Sequence, residues 1–166
     1  SLQNTQRAER VKLPAREYFS AGERYSAQGK LSAAAEAFYN VIMLGESDYS
    51  ESATLNYATI SYKIKHYGDA IKAFETLTLI ASSDNNIKEA KLGIMRSCFR
   101  AMRYERALEA ANDVITMYPD EEEIVMEAKF IKGKSLIVTG NGVERNRVLS
   151  EVPVRLRTTY EKEVKR

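Results

Sequence analysis

The 166-residue chain carries one histidine, His66, and one cysteine, Cys98, so a metal site built from Cys and His ligands is excluded. His66 falls at a break between two helical stretches and has no companion that would make it a general base; it is expected to be a solvated turn residue. Cys98 stands on the inward side of a helical pattern and reads as a buried structural thiol, not a nucleophile. A single cysteine also rules out an internal disulfide and leaves the redox compartment open. The acidic run in "EEEIVMEAKF" (121–130) follows Pro119-Asp120, where carboxylates complement a helix dipole. It lacks the alternating oxygen ligands and central glycine of a calcium loop. "GKS" (133–135) lies inside a helical pattern without the upstream glycine of a phosphate loop, and "GNG" (140–142) reads as a tight connection between helices. No catalytic, cofactor-binding or metal-binding residue is therefore expected, and the chain reads as a non-enzyme that needs no cofactor.

With no catalytic constellation, composition and helical pattern are left to define the class. Hydrophobic residues make up 44% and charged residues 29%, enough for a core and a wetted surface. Three prolines and eight glycines favour helices over a turn-rich β fold. A net charge of +2 is too small to imply nucleic acid or a membrane surface. The stretch 144–166 has seven basic and four acidic residues, yet no regular aromatic interleaving, so nucleic acid is not expected as a partner. No apolar run approaches the roughly 18 residues of a membrane span, and "SLQNTQRAERVKL" has no apolar signal core.

The helical patterns repeat. Gly22, Ala58, Met95 and Gly133 are spaced 36, 37 and 38 residues apart. In the first three units the next landmarks fall at constant offsets: Leu31, Tyr67 and Tyr104; Ala34, Ala70 and Ala107; Phe38, Phe74 and Ala111; Val41, Leu77 and Val114. Each unit opens with an amphipathic helix, breaks at Gly29-Lys30, His66 or Met102-Arg103, and continues as a second helix. Small residues at Gly22, Ala34, Ala58, Ala70 and Ala107 let paired helices approach, and Phe38 and Phe74 fill the space beyond them. Gly45, "SSDNN" (82–86) and Pro119 punctuate the units.

These residues resemble the tetratricopeptide repeat (TPR). The first unit matches best, with Tyr18 where that family prefers Trp, then Ala21-Gly22, Tyr25, Gly29, Ala34 and Phe38; Pro119 is the closing proline of the third. The resemblance implies an all-α fold, a right-handed α-solenoid of about three full repeats and a partial fourth. The expected organisation is a disordered or short helical lead over 1–13, an array over 14–152 with repeats near 15–46, 50–82, 86–119 and 121–152, and a basic cap or truncated helix over 153–166. Arg145 and Pro153 mark the last unit as degenerate. An interrupted closing unit points to a fragment of a longer array, a polar cap being the alternative.

In such arrays the first helix of each pair lines a concave groove. The resemblance therefore implies Phe19, Glu23, Tyr62, Arg96, Phe99, Arg100 and Lys134 as groove contacts, a mix suited to a peptide or protein segment of partly acidic character. Ser26, Leu55, Thr59, Leu92 and Phe130 share that side, with ordinary core as the alternative for the apolar ones. Family members that grip chaperone tails use Lys and Asn where this chain has Phe19, Glu23, Asn56, Glu89 and Gly93; only Asn56 fits, so a chaperone tail is not expected. The run "VITMYPDEEEIVMEAKFIKGKSL" further resembles bacterial envelope arrays of the barrel-assembly lipoprotein and Tol–Pal-associated types. That resemblance implies a periplasmic or envelope scaffold. The alternatives are a cytoplasmic scaffold and a docking module of a larger enzyme, and open end faces leave end-to-end self-association open.

Overall fold

The computed structural model describes the backbone of residues 2–165 and the side chains of residues 14–138 and 140–164. The lead expected over 1–13 lies outside those described side chains. Among the described residues the elements are nine helices and no strand: α1 (Leu2–Ala27), α2 (Leu31–Met43), α3 (Ser50–Lys63), α4 (Tyr67–Ile80), α5 (Asp84–Arg100), α6 (Tyr104–Met117), α7 (Glu122–Thr139), α8 (Gly142–Ser150) and α9 (Val154–Lys165). The fold is all-α and built from TPR-like helix–turn–helix pairs.

Each first helix ends the same way. Gly29, Lys65, Met102 and Gly140 have φ of 72°, 67°, 59° and 78°, the left-handed conformation that ends helices. In three of these turns the next amide reaches back over a full helical turn. Lys30 N–H donates to the Tyr25 carbonyl at 2.9 Å, His66 to Ser61 at 2.8 Å and Arg103 to Cys98 at 2.9 Å. Those bonds satisfy carbonyls that the end of a helix would otherwise orphan, and they reverse the chain within two residues. The second helix then starts at Leu31, Tyr67, Tyr104 or Gly142.

The chain forms two compact units, Ser1–Ala90 and Lys91–Arg166. In the first, α1, α2, α3 and α4 pack in chain order. Ala34, Val41, Ala58, Ala70, Ile71 and Leu77 are fully buried, and Phe38 and Phe74 are nearly so. Their spacing on α2 and α4, i, i+4 and i+7, is one face of a helix. Gly22 is where the first pair comes closest: a β-carbon there would lie 2.6 Å from a Phe38 ring carbon. That ring packs edge-on to Phe19 at 5.5 Å, and Phe19 packs on Tyr49 at 5.2 Å.

In the second unit α6 packs on α7, and α7 on α8 and α9. Met95, Cys98, Ala107, Ala111 and Ala128 are fully buried. Gly133 repeats the part of Gly22, because a β-carbon on it would collide with the Leu149 side chain, 16 residues on, as Phe38 is from Gly22. The fourth pair, expected as partial, thus closes through a second helix of nine residues, α8, with Val148 and Val152 buried. Arg145 is half-buried on it, and Pro153 separates it from α9.

Candidate protein-binding faces of the helix pairs

The residues with chemical potential are placed as follows. His66 is exposed at the start of α4, its Nδ1 4.0 Å from Asp69, too long for a hydrogen bond. Cys98 is in no disulfide and is sealed from solvent. In the "GKS" stretch Gly133 is a packing contact, Lys134 is ion-paired to Glu161 at 2.6 Å, and Ser135 is buried within α7. In "GNG", Gly140 supplies the left-handed turn, and the Asn141 side chain caps α8 by accepting from the Glu144 amide at 3.1 Å. Glu122 and Glu123 sit in the first turn of α7. Among the described residues no group of three His, Cys, Asp or Glu side chains is placed to hold a metal ion.

In the first unit, the residues read as groove contacts divide. Glu23 is exposed on α1. Phe19 is half-buried between Phe38 and Tyr49 and packs against the core cluster. Tyr62 is half-buried on α3, edge-on to Tyr67 at 5.6 Å.

In the second unit all four residues so read are engaged within the chain. The Arg96 guanidinium donates from Nε and Nη2 to the two carboxylate oxygens of Glu127, at 2.7 and 2.8 Å. This is the two-pronged pairing that a planar guanidinium favours. Phe99 is buried and meets Tyr104 at 6.0 Å and Phe130 at 6.4 Å, both edge-on. Arg100 Nη1 donates to the Val164 carbonyl at 3.1 Å. Lys134 pairs with Glu161 and lies 5.7 Å above the Phe130 ring, which in turn packs on Tyr160 at 5.2 Å. Burial, then the Glu127 carboxylate, pushes the Tyr160 phenol above its usual value.

Sequence reasoning named the bases of this face but not Glu127, Tyr160 or Glu161. They lie 31, 30 and 27 residues from Arg96, Phe130 and Lys134, separations that match neither helical spacing nor the 36–38-residue repeat, so the sequence pairs none of them. It also missed Glu51, whose carboxylate holds the α4–α5 connection by accepting from the Ser82 amide and hydroxyl, both at 2.8 Å, and from Asn86 Nδ2 at 3.0 Å.

A recess also lies in the first unit. A cleft of about 240 Å³ is lined by Tyr39, Ile42, Thr54, Tyr57, Asp69 and Lys72, among others. Burial, then the Asp69 carboxylate, pushes the Tyr57 phenol up. Met43 and Leu79, exposed on α2 and α4, are 64% and 86% accessible, so apolar surface is not confined to the first helices.

Residues 47–158, about two thirds of the chain, match the YfiO family, whose description is outer membrane lipoprotein. The chain belongs to the YfiO family. No curated protein matches it. The YfiO match begins just before α3 and ends within α9, so it takes in three helix pairs and stops short of Tyr160 and Glu161. The resemblance to envelope lipoproteins, read from Tyr118-Pro119, the acids after it and Glu127-Ala128, is thus to the family that the chain belongs to. Among the described residues no helix is long and apolar enough to cross a membrane.

Proposed function

We propose that this chain is a non-enzymatic scaffold of the bacterial cell envelope that binds a protein segment along the first helices of its pairs and serves assembly at the outer membrane. The observation that supports this most is the YfiO match over three consecutive helix pairs, because the family is one of outer membrane lipoproteins. Exposure supports it as well at Glu23, a charged residue of the first helix α1 that the fold leaves in solvent. Its partner is a peptide or protein segment; neither nucleic acid nor a membrane span enters the reading, and self-association through the end faces is a competing outcome of the same test.

The test is site-specific photocrosslinking in the native host cell. A photoreactive phenylalanine analogue replaces Glu23 or Tyr62 on the first helices, or Leu79 on a second helix. One envelope protein captured from both Glu23 and Tyr62 but not from Leu79 is the expected result. Capture from Leu79 alone, of a soluble-fraction protein, or of a second copy of the chain would overturn it.

A further inference from the structure

We propose that the Phe130–Lys134 face of α7 is a docking seat for an amphipathic helix of a partner protein, one carrying an aromatic side chain next to a carboxylate, and that α9 occupies this seat in the free chain. The proposal rests on the protein-binding reading above and names the chemistry of the segment bound in the second unit.

Phe130 and Lys134 are four residues apart on α7 and so share one face. That face offers an aromatic ring and, beside it, a cation. The neighbouring residues of α9, Tyr160 and Glu161, answer them in order, the ring at 5.2 Å from Phe130 and the carboxylate at 2.6 Å from Lys134. Arg100 completes the seat: its Nη1 donates a hydrogen bond to the Val164 carbonyl in the last turn of α9. Carbonyls there lack partners within a helix and carry the negative end of its dipole, so a guanidinium at this point recognises the end of any helix lying the same way. The seat thus reads three features: an aromatic, an adjacent acid and a helix C-terminus.

Its present occupant is weakly anchored. Among the described residues of α9, 154–164, none is buried, whereas every other helix has at least one buried residue. Val154 and Val164 are 66% and 40% accessible, while Phe130 beneath is only 2% accessible. Arg157 leaves its Nε buried without a partner in this position. Pro153 lies between α8 and α9, where its ring and missing N–H prevent one continuous helix. A well-packed seat under a poorly packed helix is the arrangement in which an external helix of the same chemistry replaces the internal one.

The probe is a fluorescent peptide with the sequence of residues 153–164, PVRLRTTYEKEV, followed by anisotropy. It is added to the full chain, to the Tyr160→Ala/Glu161→Ala variant, and to that variant with Lys134→Glu as well. Circular dichroism melts establish that each variant is folded. When α9 no longer competes, the fraction of free seats rises, and the expected result is binding roughly tenfold tighter than to the unaltered chain. Lys134→Glu should abolish it, and a peptide with lysine in place of its glutamate at position 161 should restore it. Equal affinity for the unaltered and Tyr160→Ala/Glu161→Ala chains, no binding to any of them, or binding indifferent to Lys134→Glu would each overturn the seat. Hydrogen exchange gives a second reading: α9 amides should exchange well before those of α7, and equal protection would contradict displacement. Crosslinking from Glu23 and Tyr62 with no peptide binding would sink the seat and leave the scaffold. Peptide binding without an envelope crosslink would do the reverse.

Discussion

Replacing Gly22 with alanine sets two effects against each other. In an isolated helix the change gains about 1 kcal/mol, because glycine loses more backbone freedom than alanine. Here the new β-carbon would lie 2.6, 2.7 and 2.8 Å from three carbons of the Phe38 ring, where carbon atoms need roughly 3.5–4.0 Å. The ring has no free space to turn into, being 1% accessible and held edge-on to Phe19. Helices α1 and α2 must therefore part, and overpacking of this kind costs about 1–3 kcal/mol. The steric term wins, and a net loss of about 1 kcal/mol is expected. In a Phe38→Leu background the obstacle is gone, and Gly22→Ala should instead stabilise, by about the propensity gain. The two substitutions should thus couple by about 1–3 kcal/mol in a double-mutant cycle. Urea unfolding followed by helical circular dichroism measures all four proteins, with unchanged m-values as the sign that only stability has moved. If Gly22→Ala stabilised both backgrounds equally, the close approach of α1 and α2 would not limit this pair, and the argument from the ring would fail.

Three further outcomes are expected. Lys65→Gly and Met102→Gly should each raise stability by about 0.5–1 kcal/mol, because both residues hold left-handed backbone that costs a side chain energy and are exposed, so little packing is lost. A fall in unfolding midpoint for both would refute this. The Ser97 and Ser135 hydroxyls are buried without hydrogen-bond partners, so alanine at either position should stabilise by about 1 kcal/mol in the same assay, and destabilisation would reveal a bond the hydroxyl makes. Glu51 is held below the ordinary glutamate value near 4.5, first by the Asn86 side chain and then by the Ser82 amide and hydroxyl. A depressed carboxylate contributes stability that is fully present above that ordinary value and is lost as pH falls through the lower folded one. Melting temperature should accordingly fall more steeply with acid below about pH 5 for the native chain than for Glu51→Gln, and parallel curves would refute the linkage.

The offsets that align Gly22, Ala58, Met95 and Gly133 made the helix pairs legible, because a repeated burial pattern is written directly in residue type. The same register placed the turns, at Gly29-Lys30, His66 and Met102-Arg103, but their left-handed backbone was legible only where glycine marks it. Gly29 and Gly140 do so, but Lys65 and Met102 adopt the same left-handed backbone with no turn chemistry of their own; the flanking helices impose it. The pairings of the second unit were less accessible still. Arg96 and Lys134 are visible as basic residues on first helices, yet their acids, Glu127 and Glu161, lie on other helices, where neither the three- and four-residue helical rule nor any loop rule connects them. Phe19 shows the limit for apolar residues: one aromatic at one helical position can face a partner or the core, and only the neighbouring Tyr49 decides it.

The left-handed turns also divide the chain into rigid and elastic lengths. From the turn residue to the start of the second helix there are always two steps, 29 to 31, 65 to 67, 102 to 104 and 140 to 142. From that start to the next turn the count grows from 34 to 35 to 36 residues, so the whole drift of the repeat is absorbed beyond the turn. Insertions are therefore not equivalent along the sequence. Extra residues at Lys30 or His66 would break the reversal that holds a pair together, whereas the exposed Pro119-Asp120 connection between α6 and α7 has room for an epitope or a purification handle. A scaffold of this kind can be given a grip in mid-chain without loosening a single helix pair.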